Sequence, residues 1–135
     1  VGADGVFPTA DGRAHFAVFD PARLEAPAGS FLLSTRRGKQ FNSMVFREVD
    51  PLTGASRHDV LMAAGDAAGL GLADGAPVLV RSRHGELAGR VRVAEIRAGN
   101  VQVFFPEGNV LVAADDGCAE SGMPAYTEVV EVLPA

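Results

Sequence analysis

The chain has 135 residues, the length of a single domain, and can bury roughly two thirds of its unfolded surface without staples. Its 12 Lys and Arg against 17 Asp and Glu give a net charge of −5, the opposite of the basic footprint of a general nucleic-acid binder. The one cysteine, Cys118, cannot close an internal disulfide, no Cys/His spacing matches a zinc site, and neither a membrane span nor a signal peptide is expected from the residue pattern.

With 16 Gly, 8 Pro and 47% hydrophobic residues, the composition reads as folded, turn-rich and mainly β. Residues 1–29 lack sustained periodicity. They read as a lead-in that docks at a few apolar anchors, Phe7, Phe16 and Phe19, and Val1 without an initiator Met reads as a piece of something longer. Pro27-Ala28-Gly29 marks a break, and residues 30–135 form the domain proper.

Phe31-Leu32-Leu33 is a buried-strand candidate, residues 50–57 a turn-bearing loop, and Val60-Leu61-Met62 a second strand. Asp66 is placed to cap a short helix carried by Ala67, Ala68 and Leu70, with Gly71 as its left-handed terminus. Asp74-Gly75 signals a turn, and Pro77 suits the first residue of a strand. Val78 and Val80 alternate with Leu79 and Arg81. After a His84-Gly85 turn, Leu87, Gly89, Val91 and Val93 alternate with Ala88, Arg90, Arg92 and Ala94, predicting a hairpin. Val101–Phe105 and Thr127–Leu133 are the last strands. Short strands, one brief helix and frequent Gly turns favour a small closed barrel, because closure removes sheet edges.

Three stretches carry the possible chemistry. Thr35-Arg36-Arg37-Gly38-Lys39-Gln40-Phe41-Asn42-Ser43 concentrates three of the twelve basic residues directly after a strand. Guanidinium forks, hydroxyls, amides and turn N–H groups suit phosphate oxygens; the alternative is a solvated charged loop. Phe104-Phe105-Pro106-Glu107-Gly108-Asn109 offers an aromatic wall beside an amide for a planar heterocycle, or else a turn between core residues. Ser121-Gly122-Met123-Pro124-Ala125-Tyr126 either faces a ligand or forms a structural corner. His15, His58 and His84 fall in loops without metal-binding spacing. Cys118 lies among acidic residues that would raise its pKa, so nucleophilic and metal catalysis find no support.

Taken in order, T-R-R-G-K-Q-F-N-S, D-A-A-G-L-G-L-A-D-G-A-P-V-L-V-R-S-R-H-G, G-N-V-Q-V-F-F-P-E-G-N-V-L-V and S-G-M-P-A-Y resemble one family. It is the C-terminal molybdopterin-dinucleotide-binding domain of the molybdopterin oxidoreductases, with formate dehydrogenase-like alpha subunits as the nearest branch. The lead-in F-P-T-A-D-G-R-A-H-F resembles the segment joining that domain to the catalytic body.

The resemblance implies a double-psi β-barrel with one or two short helices. It implies a cofactor-anchoring role toward the guanine dinucleotide arms of bis-MGD, whose molybdenum or tungsten is held by other domains. Thr35, Arg36, Arg37, Gln40, Phe41, Asn42 and Ser43 match the first cofactor-contacting loop, with Lys39 as a further phosphate contact. Asn109 matches the Asn after the aromatic strand, and Ser121, Pro124 and Tyr126 match the closing segment. Phe41, Phe104 and Tyr126 would give apolar or stacking surface. Thr127 stands where the family usually has Lys, and Cys118 does not match the metal-ligand position. Iron–sulfur ligands and catalytic residues would belong to the remaining domains, which with electron-transfer subunits are the implied partners. A cytoplasmic location is expected. The competing reading is a stand-alone β-barrel interaction module, docking through the acidic, Lys- and Arg-free stretch from Glu107 onward.

Overall fold

Two-residue alternation of buried and open side chains builds the barrel in a computed structural model, which describes residues 4–20, 24–39, 46–114, 117, 121–123 and 126–135. In chain order these form β1 (Phe31–Arg36), β2 (Asp59–Met62), α1 (Ala64–Gly69), β3 (Pro77–Arg81), β4 (Glu86–Val93), β5 (Asn100–Phe104), a 3₁₀ turn (Glu107–Leu111) and β6 (Thr127–Pro134). The strands close into a ring in the order β1-β5-β2-β4-β3-β6, with β6 pairing back onto β1. β1/β5 and β2/β4 are parallel, and the remaining pairs are antiparallel.

The predicted hairpin is present, with Val80 opposite Leu87 and Arg81 opposite Glu86, and Pro77 opens its first strand. Val78 and Val80 point inward with Leu33, Val60, Val101 and Val130, filling the barrel with β-branched side chains that suit a pleated, enclosed surface. A smaller cluster lies on the outside of the wall, where Phe104 and Leu61 pack against Ala55, Ala94 and Ile96. Both sides of the β5 wall are therefore covered near its end.

Two expectations are corrected. Asp66 is not the helix cap: α1 starts from Ala63 without a side-chain cap, and the Asp66 carboxylate accepts the Gly99 amide at 2.8 Å, tying the helix to the turn before β5. The far end behaves as expected, because Gly71 (φ 68°) sends Leu72 N back to Ala67 O at 2.9 Å. The lead-in does not dock on the barrel through Phe16 and Phe19, which are 97% and 77% exposed. The strands, α1 and the 3₁₀ turn fill the barrel core without them. No helix among the described residues is long and apolar enough to cross a membrane.

Glu128, near the start of β6, sits between Arg83 (3.2 Å) and His84 Nε2 (2.9 Å) at the tip of the hairpin. Burial alone would raise its pKa, but the Val129 amide, Arg83 and His84 outweigh that and hold the carboxyl below its ordinary value. A depressed folded pKa means that this tether contributes fully above the ordinary carboxylate range and is lost as pH falls through the folded value. Carboxyl NMR should give Glu128 a midpoint under 4.5, and Arg83→Gln should move that midpoint upward. An unchanged midpoint in that variant would remove Arg83 from the account.

Candidate functional site

Parallel pairing places the ends of β1 and β5 side by side, with Thr35 opposite Val103 and Arg36 opposite Phe104. The pairing runs on past the strand end, where the Phe105 amide donates to Arg36 O at 2.8 Å. β6 runs antiparallel to β1, with Ser34 opposite Thr127, so Tyr126 arrives at this same end of the barrel. Three chain segments distant in sequence thus meet at one mouth.

Period-two geometry then sorts the side chains. Leu33 and Val103 point into the barrel, so Thr35, Arg37 and Phe105 continue that line outward over its open end. With Tyr126 they line a pocket of about 290 Å³. The Arg37 guanidinium stands 4.7 Å from the centre of the Phe105 ring, a cation–aromatic stack that presents a flat, positively charged shelf. Tyr126 is half exposed and brings a ring and a hydroxyl. The 3₁₀ turn packs against Thr35 and Val103. A Cβ on Gly108 would lie 2.4 Å from Val103 Cγ2 and 3.0 Å from Thr35 Cγ2, so only glycine lets the turn sit this close.

Arg36 has the opposite parity. It lies on the outer wall, its guanidinium 5.6 Å from the Phe104 ring, and does not line the pocket. Phe104 itself is 1% exposed, so it cannot offer an open stacking face; it supports Arg36 and fills the outer cluster. The aromatic that lines the pocket is its neighbour Phe105, which precedes a cis peptide to Pro106.

Asn109 and Ser121 are exposed and stand outside the pocket lining. The Asn109 backbone N–H donates to Pro106 O at 3.0 Å within the 3₁₀ turn, and Ser121 Oγ accepts the Met123 backbone N–H at 3.3 Å. Gln40, Phe41, Asn42, Ser43, Pro124 and Cys118 lie outside the described residues.

Sequence reasoning missed a brace beneath this rim. Arg57, 5% exposed, pairs with Glu107 and stacks 3.7 Å from the Phe46 ring centre. It joins Phe46 to the start of the 3₁₀ turn. Partners fifty positions apart leave no local pattern to read. Among the described residues no group of three His, Cys, Asp or Glu gathers as a metal centre. The arrangement suits an anionic ligand carrying a planar ring: a cation, two aromatic rings and two hydroxyls in one small pocket.

Comparison with known proteins points the same way. Residues 31–130 match the family model for the molydopterin (molybdopterin) dinucleotide binding domain. A subunit of an NADH-quinone oxidoreductase from Rhizobium meliloti (strain 1021) is 37% identical over 110 residues, which covers 79% of this chain and 13% of that protein. Acetylene hydratase from Pelobacter acetylenicus superposes with a TM-score of 0.56 at 18% identity, over 78% of this chain and 18% of the hydratase. A rationally designed double-psi β-barrel protein superposes with a TM-score of 0.50 at 16% identity, over 78% of this chain and 99% of the design.

Proposed function

Because the chain belongs to the molybdopterin dinucleotide-binding domains of the molybdopterin oxidoreductase family and folds as a double-psi β-barrel, we propose that its pocket grips a nucleotide end of that cofactor. The observation that carries the reading is the meeting of Thr35, Arg37, Phe105 and Tyr126, from three separate segments, in one pocket. The donor set fits the group. Arg37 offers a planar fork to pyrophosphate oxygens, Phe105 and Tyr126 offer faces to a purine, and Thr35 adds a hydroxyl. A pocket of about 290 Å³ sits at the small end of ligand sites, which run from roughly 300 to 1,000 Å³. It suits one nucleotide moiety, with the remaining wall supplied from elsewhere.

The finer reading follows the family resemblance. The ligand is the guanine dinucleotide portion of bis-MGD with molybdenum or tungsten, and the parent is a formate dehydrogenase-like enzyme with iron–sulfur centres in its other domains. When bound, the metallopterin supplies the redox chemistry, while these residues bind and orient its tail. Arg36, Gln40, Phe41, Asn42, Ser43, Asn109, Ser121 and Pro124 are proposed as outer contacts. Phe104 supports them from within the wall. Residues 30–135 form the anchoring unit and 1–29 the lead-in. The chain spans 13% of its curated relative, an oxidoreductase subunit, which supports a place in a larger redox protein. A single cysteine suits a cytoplasmic setting.

Titration of the 135-residue chain with GDP tests the assignment. Arg37→Ala should weaken GDP binding roughly tenfold to a hundredfold, the range of one hydrogen bond to a charged group. Arg36→Ala should weaken it less, and Arg37→Ala in the complete protein should lower its metal content. GDP affinity untouched by Arg37→Ala would refute the pocket.

A further inference from the structure

The lead-in contains a stretch that the barrel leaves bare. Residues 7–13 form an ordered knuckle. Phe7 N donates to Gly12 O at 3.0 Å, Thr9 Oγ1 donates to Arg13 O at 2.8 Å, and Asp11 Oδ1 takes the Arg13 amide at 3.1 Å and His15 Nε2 at 2.8 Å. From Ala14 to Asp20 the backbone has no helical turn, bend or ladder pairing. No main-chain hydrogen bond ties it to another described residue. Phe16 is 97% exposed and Val18, two positions on, 99%.

A run without bends, with open amides and carbonyls and apolar side chains two apart, has the chemistry of a strand separated from its sheet. Its own barrel cannot take it, because six strands paired in a ring leave no edge. A matching arm from a second copy would make only a two-stranded ribbon, which is marginal in water.

We propose that residues 14–20 are a docking strand that adds to the open sheet edge of another folded domain of the same protein, seating Phe16 and Val18 on that domain's apolar face. Main-chain hydrogen bonds would give this contact its affinity and the alternate side chains its register. The chain spans 13% of its curated relative, so a protein of that build has ample length to supply the edge. The knuckle fixes where the strand begins. This inference does not depend on the nucleotide reading, since neither its residues nor its readout involves the pocket.

Amide hydrogen exchange over residues 14–20 tests it, comparing the protein expressed from its full natural reading frame with the 135-residue chain, whose barrel closes on its own core. The shorter chain should exchange these amides at unprotected rates, and the full protein at least tenfold more slowly. Val18→Pro, which removes a donor, should abolish that protection in the full protein. Phe16→Asp should do the same by placing a charge on the apolar face. Neither should move the melting temperature of the shorter chain. Unprotected exchange in the full protein, or a reading frame encoding no further folded domain, would overturn the proposal. Protection already present in the shorter chain would also overturn it, in favour of a second copy if it grows with concentration and of the chain's own barrel if it does not.

Discussion

Phe104→Ala is expected to destabilise the chain by about 3–5 kcal/mol, the range for emptying a buried aromatic site. Phe105→Ala should cost only about 1 kcal/mol, the scale of one cation–aromatic contact. The two rings are consecutive and chemically identical, so the difference is one of parity. Phe104 lies on the outer wall under Ala55, Leu61, Ala94 and Ile96 and is 1% exposed. Its removal leaves a void lined by the end of β2 and the segment after β4, which the pairing of both strands prevents from collapsing. Phe105 instead lines the pocket with Arg37 stacked on it. Urea unfolding of both variants beside a GDP titration separates the roles: Phe104→Ala should lose stability first, and Phe105→Ala should lose affinity at near-normal stability. Equal unfolding midpoints would contradict the assignment of inner and outer faces.

These rings also show what the sequence can carry. Alternation in Val78–Val80 and Leu87–Val91 is legible because one face meets the core and the other meets water, so composition follows geometry, whereas Val93, expected on the inner face, is exposed. At Val103-Phe104-Phe105 the alternation disappears, because the wall is covered on both sides. The cover comes from Ala55, Leu61 and Ile96, and nothing near Phe104 announces them. Asp66 fails for a related reason. A carboxylate at a helix start reads as a cap, but the Gly99 amide, brought near by the return to β5, takes its hydrogen bond. The cationic tip was legible as charge but not as direction: Arg36 and Arg37 look equivalent until strand parity sends one to the wall and the other to the mouth. The lead-in phenylalanines were legible as apolar but not as unused, since closure of the ring is a property of all six strands together.

Arg57→Ala is expected to cost about 3 kcal/mol, at the lower end of the range for breaking a buried ion pair, because Glu107 keeps 17% of its side chain exposed. The loss comes chiefly from what is left behind. Glu107 would keep a largely buried charge without its counter-ion, and its Oε2 already lacks a hydrogen-bond partner among the described residues. Phe46, 3.7 Å from the guanidinium carbon, would lose the flat cation on which its ring rests. Arg57→Lys should recover only part of the loss, since an ammonium can keep the contact to Glu107 Oε1 but cannot stack in plane on the Phe46 ring. Replacing both partners, Arg57→Leu with Glu107→Leu, should recover most of the stability, because no charge is then stranded. Affinity should follow a different order. Glu107 opens the turn whose Gly108 packs on Thr35, so even the stable double variant leaves the support behind Thr35 without its brace and should bind GDP more weakly. Urea midpoints and GDP titration across the three variants resolve the two effects. A double variant as unstable as Arg57→Ala would show that the pair matters through packing volume rather than charge.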